Sequence, residues 1–201
     1  MKYKLTDETT TTNTGIVLHR IECVTAFYEV KVGEKGGWIE REENISQCDN
    51  CWVYGNARVY GNARVYGDAQ VCDNAQVYGN ARVYGDALVY GDTLVCGNAH
   101  VYGNARVYED ALVYGNALVC ENVQVCGNAV IGNSNDYIVF KNNWSSGRYF
   151  TWTSSNDMWK VGCFYGTGKE LIEKAYKDSK LSGDCYKAYV ELVEKLKEIQ
   201  K

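Results

Sequence analysis

The sequence predicts a mainly β chain organised as a parallel β-solenoid, with three-sided coils of 18 residues. Three observations carry this. From Val53, thirteen consecutive six-residue repeats run to Val130, with Val in the first column of every repeat and Ile131 after the last. The fifth column is Ala except at Thr93 and Val123, so each repeat sets two apolar side chains two residues apart, on one side of a short strand. The fourth column is Asn or Asp in all thirteen repeats, and the chain contains no Pro.

A strand of about four residues followed by a bend cannot bury its Val/Ala face alone, so successive turns of chain must stack. Three bends close a triangle, which places residues 18 apart above one another at about 4.8 Å, the spacing of neighbouring strands. The first and fifth columns then form the core. The second column, Tyr or Cys, and the sixth column, mostly Arg, Gln, Leu or His, face outward. The third column is Gly except at Asp73, Glu109 and Glu121, while the fourth never departs from Asn or Asp. That strictness predicts that the fourth residue takes the left-handed corner, a conformation Asn and Asp tolerate.

The pattern V-x-G-[ND]-A-x, over residues 53–131, resembles the hexapeptide repeat of the left-handed β-helix family, in which three repeats make one coil of a triangular prism. The stretch GGWIEREENISQCDNCWV, Gly36 to Val53, resembles the lead-in of short repeat proteins of bacteria and their phages. Many members of the β-helix family are acyltransferases. The resemblance therefore implies an acyl donor held between subunits, a His general base and loops protruding from the coils. This chain has no insertion between residues 53 and 130 and only two histidines, His19 and His100; the zinc-dependent relatives need three His ligands. No catalytic residue, cofactor or metal ligand is assigned.

Before the repeats, residues 1–52 are read as an N-terminal β cap with strands at Ile16–Val24 and Glu29–Val32, covering an open sheet end that would otherwise polymerise. The Cys48-x-x-Cys51 pair lacks a second pair of ligands nearby, and Cys51 falls in the inward column, so packing is its expected role. After the repeats, residues 132–201 are read as a C-terminal module. Tyr137–Lys141, Arg148–Thr153 and Met158–Phe164 alternate as a three-stranded antiparallel meander. Two helices follow, with apolar stripes Leu171, Ile172, Ala175, Tyr176 and Tyr186, Tyr189, Val190, Val193, Leu196. Thr167-x-x-Glu170 in GTGKE is a capping box, not a phosphate loop.

The net charge of -4 gives no general attraction to long nucleic acid. No stretch is apolar enough to span a membrane, and the N-terminus has no apolar leader core, so a cytoplasmic chain with free thiols is expected. Stacking by 18 brings Arg58, Gln76, Leu94, Leu112 and Val130 into one outward ladder whose later members are apolar. With Tyr90 and Tyr108 beside it, Leu94, Leu112 and Val130 form an expected oligomer interface, making a second or third copy of this chain the expected partner. In the C-terminal module Trp144, Arg148, Trp152, Trp159 and Lys160 combine aromatic faces with cations, as a small anionic ligand such as a nucleotide requires. The composite expectation is a non-enzymatic, self-associating scaffold of phage type that sequesters such a ligand. A purely structural or protein-interaction solenoid and a hexapeptide-repeat acyltransferase are the alternatives.

Overall fold

The computed structural model describes residues 1–199 and resolves into two compact units, Met1–Asp136 and a second beginning at Tyr137. In the first unit each repeat contributes a two-residue strand, and the strands stack in parallel in three sheets. One face stacks Trp52–Val53, Gln70–Val71, Leu88–Val89, Arg106–Val107 and Gln124–Val125. A second stacks Arg58–Val59, Gln76–Val77, Leu94–Val95, Leu112–Val113 and Val130–Ile131, and a third Arg64–Val65, Arg82–Val83, His100–Val101 and Leu118–Val119. Every pairing joins residues 18 apart, for example Leu94 to Leu112 and Val95 to Val113. The chain is therefore a parallel β-solenoid with the predicted coil length.

Each coil donates its strand N–H groups to the next, as in Arg58 N–H to Ala75 O at 2.9 Å and Tyr60 N–H to Val77 O at 3.0 Å. The inward Val column and the Ala column are buried along their whole length. Stacked tyrosines give the rise directly: the Tyr66–Tyr84 and Tyr84–Tyr102 ring centroids are 4.8 and 4.9 Å apart.

The corner is built the other way round from the sequence expectation. It is the third column that is left-handed, at every Gly from Gly55 (φ +58°) to Gly127 (φ +64°) and also at Asp73, Glu109 and Glu121. The fourth column is not. With Ala57 N–H donating to Tyr54 O at 3.1 Å, Tyr54-Gly55-Asn56-Ala57 is a tight turn whose first central residue alone has positive φ. That is the type II′ geometry, which wants Gly first and accommodates Asn second. Asn and Asp are retained in the fourth column for a different reason. Their side chains hydrogen-bond up the prism edge: Asn62 Nδ2 to Asn80 Oδ1 (3.1 Å), Asn80 Nδ2 to Asn98 Oδ1 (3.0 Å) and Asn98 Nδ2 to Asn116 Oδ1 (3.1 Å).

The solenoid's second face continues into the N-terminal segment. β1 (Tyr3–Thr11) and β2 (Val17–Cys23) pair antiparallel, β2 pairs with β3 (Lys35–Ile39), and β3 runs parallel to Arg58–Val59. The predicted strand at Ile16–Val24 is β2. Glu29–Val32 is not a strand: one bridge between Phe27 and Val30 closes a tight turn there, with Tyr28 left-handed at φ 44°. The lead-in glycines allow β3 to lie against the first coil. A Cβ on Gly36 would stand 2.7 Å from the buried ring of Trp52, and one on Gly37 would stand 2.6 Å from the carbonyl of Ala57.

The second unit is a four-stranded antiparallel sheet, Tyr137–Lys141, Tyr149–Thr153, Met158–Val161 and Phe164–Gly166, followed by α1 (Gly168–Asp178) and α2 (Lys180–Ile199). The predicted third strand is split because Gly162, at φ +56°, turns the chain so that Phe164 pairs back onto Val161. Thr167 caps α1: its hydroxyl accepts Glu170 N–H at 3.3 Å, and Glu170 Oε2 accepts Thr167 N–H at 2.8 Å. One sheet face and the two helices enclose Phe150, Trp152, Trp159, Val161, Leu171, Ala175, Tyr186, Val190 and Val193. Tyr176 and Leu196, expected in the helical stripes, are 42% and 37% exposed.

Candidate functional site

The candidate surface is assembled by the sixth column. Register puts Arg58, Gln76, Leu94, Leu112 and Val130 in one outward ladder on the second face, as the 18-residue stacking predicts. Leu94 and Leu112 are half-buried and Val130 is 36% exposed. The flanking aromatics are partly those expected. Tyr90 and Tyr108 do stack, at 4.9 Å with rings 2° from parallel, but they follow Val89 and Val107 and so belong to the first face, across a corner from the leucines. Tyr108 is buried, at 8% exposure, and burial, followed by a hydrogen bond to Cys126, pushes its phenol well above the usual range. It therefore contributes to the stability of its own coil more than to an open surface.

The residue that sequence reasoning missed is Tyr114. It follows Val113 on the same face as Leu112, and it is 43% exposed. Its ring lies over Gly132, where a Cβ would stand 2.9 Å from Tyr114 Cζ. The signal was in the sequence: position 132, one coil after Tyr114, carries Gly where a second-column Tyr or Cys would continue the stack.

The five residues proposed for an anionic ligand are not brought together. Trp152 and Trp159 are cross-strand partners on the helix-covered face, 6% and 1% exposed, with Trp152 Nε1–H donating to Asp157 Oδ1 at 2.8 Å. Lys160, one residue from Trp159 along its strand, points to the opposite face. Trp144 is 78% exposed in the turn after the first strand of this unit, and Arg148 is exposed beside Gly162. Alternation does put Phe150 and Trp152 on one side, but that side is the core, and Arg148 precedes the strand and stays exposed. A cavity of about 460 Å³ does reach Trp159. Its charged lining residues are Asp157, Glu173 and Glu194 against Lys169, a balance that repels anions.

His100 sits on the third face between Arg82 below and Leu118 above. Its ring meets Tyr84 edge-on at 6.1 Å, and burial, then the Arg82 charge, lowers its pKa, so the ring is neutral near pH 7. A base in that state has the right form for proton abstraction. His19 Nδ1 lies 3.2 Å from Thr6 O within the β1–β2 pair. Cys48 is exposed while Cys51 is buried in the inward column. Among the described residues there is no group of three or more His, Cys, Asp or Glu placed to hold a metal ion. Likewise no described helix is long and apolar enough to cross a membrane.

Comparison with known proteins agrees with this architecture. The family model described as YdcK Beta solenoid repeat matches residues 53–67, 57–73, 75–91, 81–97 and 99–115. Together with the observed 18-residue register, these matches identify that stretch as β-solenoid repeats. The chain is also similar to the uncharacterized acetyltransferase YdcK of Escherichia coli (strain K12), with 35% identity over 60 residues. The match spans 26% of this chain and 18% of that relative's length.

Proposed function

We propose that this chain is a non-enzymatic scaffold that associates with further copies of itself through the apolar outer ladder of the solenoid's second face. The supporting observation is the side-chain sequence of that ladder. It begins with Arg58 and Gln76, which suit water, and turns to Leu94, Leu112 and Val130 over successive coils, with Tyr114 beside Leu112. Ladder contacts alone do not require this, because Arg and Gln stack equally well earlier in the same column. The coils also run without an inserted loop, the element that shapes the donor site in the acyltransferases this repeat resembles. The phage-like sequestration of an anionic ligand does not form part of this reading, given the acidic lining beside Trp159.

The test is the solution mass by light scattering or native mass spectrometry, comparing the natural chain with Leu112→Arg. The variant repeats the residue that Arg58 already supplies in this column, so the coil tolerates it. A multimer that falls to a monomer supports the reading. A natural chain that is already monomeric overturns it.

One observation favours a second reading, transfer of an acyl group. The Escherichia coli relative bears the name of an acetyltransferase, and His100 is a neutral outward-facing imidazole. Acetyl-CoA turnover by the purified protein, abolished in His100→Ala, would establish that activity; no turnover against a panel of amine and hydroxyl acceptors would remove it.

A further inference from the structure

Lys2 is a charged side chain in an unusual place. It is 6% exposed, and its Nζ donates to the carbonyls of Asp49 (2.7 Å) and Cys51 (2.8 Å) and approaches Cys51 Sγ at 3.5 Å. Around it, Lys2 N–H donates to Gln47 Oε1 at 2.8 Å, Gln47 Nε2 donates to Tyr3 O at 3.1 Å, and the ammonium lies 4.8 Å from the Phe27 ring. Cys51 occupies the inward column where Ala stands in eleven of the thirteen repeats, and Cys51 is 0% exposed. Replacing Ala by Cys at this one coil adds a sulfur that reaches the Lys2 side chain. The side chains come from opposite ends of the cap: Lys2 immediately precedes β1, and Cys51 precedes the first coil strand.

From this contact we infer that Lys2 and Cys51 form a covalent sulfur–nitrogen bridge when the protein meets a peroxide, fastening β1 to the first coil. A cavity of about 220 Å³, lined by Lys2, Phe27, Gln47, Cys48 and Asp49 among others, is large enough for peroxide and reaches the Lys2 side chain that contacts the sulfur; Cys51 itself does not line it. Hydrogen peroxide first converts the Cys51 thiol to a sulfenic acid: the S–H bond is replaced by S–OH, the peroxide O–O bond breaks, and one water leaves. The lone pair of the Lys2 amine then attacks that sulfur. An S–N bond forms, the S–OH bond breaks, and hydroxide departs as a second water with a proton from nitrogen. The sulfur loses two electrons and the peroxide gains them. Burial lowers the affinity of Lys2 for its proton, which favours the proton loss that the second step requires. Burial also pushes the Cys51 thiol up, which makes the first step slow.

The experiment is peptide mapping by tandem mass spectrometry of the full chain after peroxide treatment, with and without a thiol reductant. The expected product is a Lys2–Cys51 crosslinked peptide about 2 Da lighter than the sum of its parts, reversed by the reductant. It should persist in Cys48→Ala and be absent from Lys2→Arg and Cys51→Ala. Cys51→Ala restores the residue used elsewhere in the inward column, so it preserves the fold while removing the sulfur. A Cys48–Cys51 disulfide, or Cys51 oxidised to sulfinic acid with Lys2 unmodified, would overturn the inference.

Discussion

Gly91 donates its backbone N–H to the carboxylate of Asp73, one coil below it, at 3.0 Å. The same contact recurs from Gly127 to Glu109 (2.6 Å), from Gly67 to Asp49 (3.0 Å) and from Gly61 to Glu40 (2.7 Å). Asp73 and Glu109, acids in the third column, thus accept the corner N–H of the following coil while being themselves left-handed; Asp49 and Glu40 accept an equivalent N–H without positive φ. Asp73→Ala should lose the acceptor and keep the strain, while Asp73→Gly loses the acceptor and relieves it. Denaturant midpoints should place the Ala variant about 1 kcal/mol below the Gly variant, the usual cost of a left-handed non-glycine residue. Equal midpoints would mean the corner is not strained.

Adjacent positions of a single corner separate backbone demand from side-chain demand. Gly97 is at φ +68°, and a Cβ there would lie 2.9 Å from the backbone nitrogen of Gly115. Asn98 accepts from Asn80 and donates to Asn116, both on the exposed edge. Gly97→Ala should cost at least about 2 kcal/mol, since it combines left-handed strain with a clash against backbone that cannot yield. Asn98→Ala should cost nearer 1 kcal/mol for its exchanged hydrogen bonds. Thermal melting of the two variants checks the order, and the reverse order would restore the sequence-based reading in which Asn makes the turn.

That misreading shows where periodicity stops being informative. A column's invariance reports that something is required there, and both the turn and the amide ladder require small polar or flexible residues. Substitution of Gly by Asp73, Glu109 and Glu121 looked like looseness, when Asp73 and Glu109 instead answer a corner N–H that only stacking creates. The coil length, the Val/Ala interior and the outward ladders were legible because they depend on the repeat alone. β1 was not, because its TDETTTT stretch lacks apolar alternation and is held as a strand by pairing with β2. The tryptophans were ambiguous for a related reason: a small sheet needs large core residues, and alternation reveals that Phe150 and Trp152 share a side without revealing that α1 and α2 cover it.

The burial of the tryptophans makes opposite predictions for neighbouring residues of one type. Trp159→Ala should destabilise the second unit by about 3–5 kcal/mol, as expected when a large buried aromatic is deleted. Trp144→Phe should change stability by less than about 0.5 kcal/mol, because the side chain is 78% exposed. Iodide quenching should fall in Trp144→Phe relative to the natural chain, since the remaining tryptophans of that unit are inside it. Strong residual quenching of Trp152 and Trp159 emission would contradict the packing described.

Asp49 gives a pH dependence whose sign follows from its contacts. Its carboxylate accepts Gly67 N–H, then a hydrogen bond from Ser46, and these hold it below the usual carboxylate range against a smaller opposing effect of burial. A group with a lower pKa in the folded state binds its proton more weakly there, so folding gains stability above the unfolded value of about 3.9. That gain is present at neutral pH and is lost as pH falls below about 4 and through the folded pKa. Asp49→Asn removes the titration, so the difference in unfolding midpoint between the natural chain and the variant should shrink between about pH 6 and about pH 3. The carboxylate is only partly buried, so the effect is modest and should weaken further in high salt. A difference that grew on acidification would show that the bond to Gly67 does not favour the ionised form, and the account of acids at the solenoid's corners would fail with it.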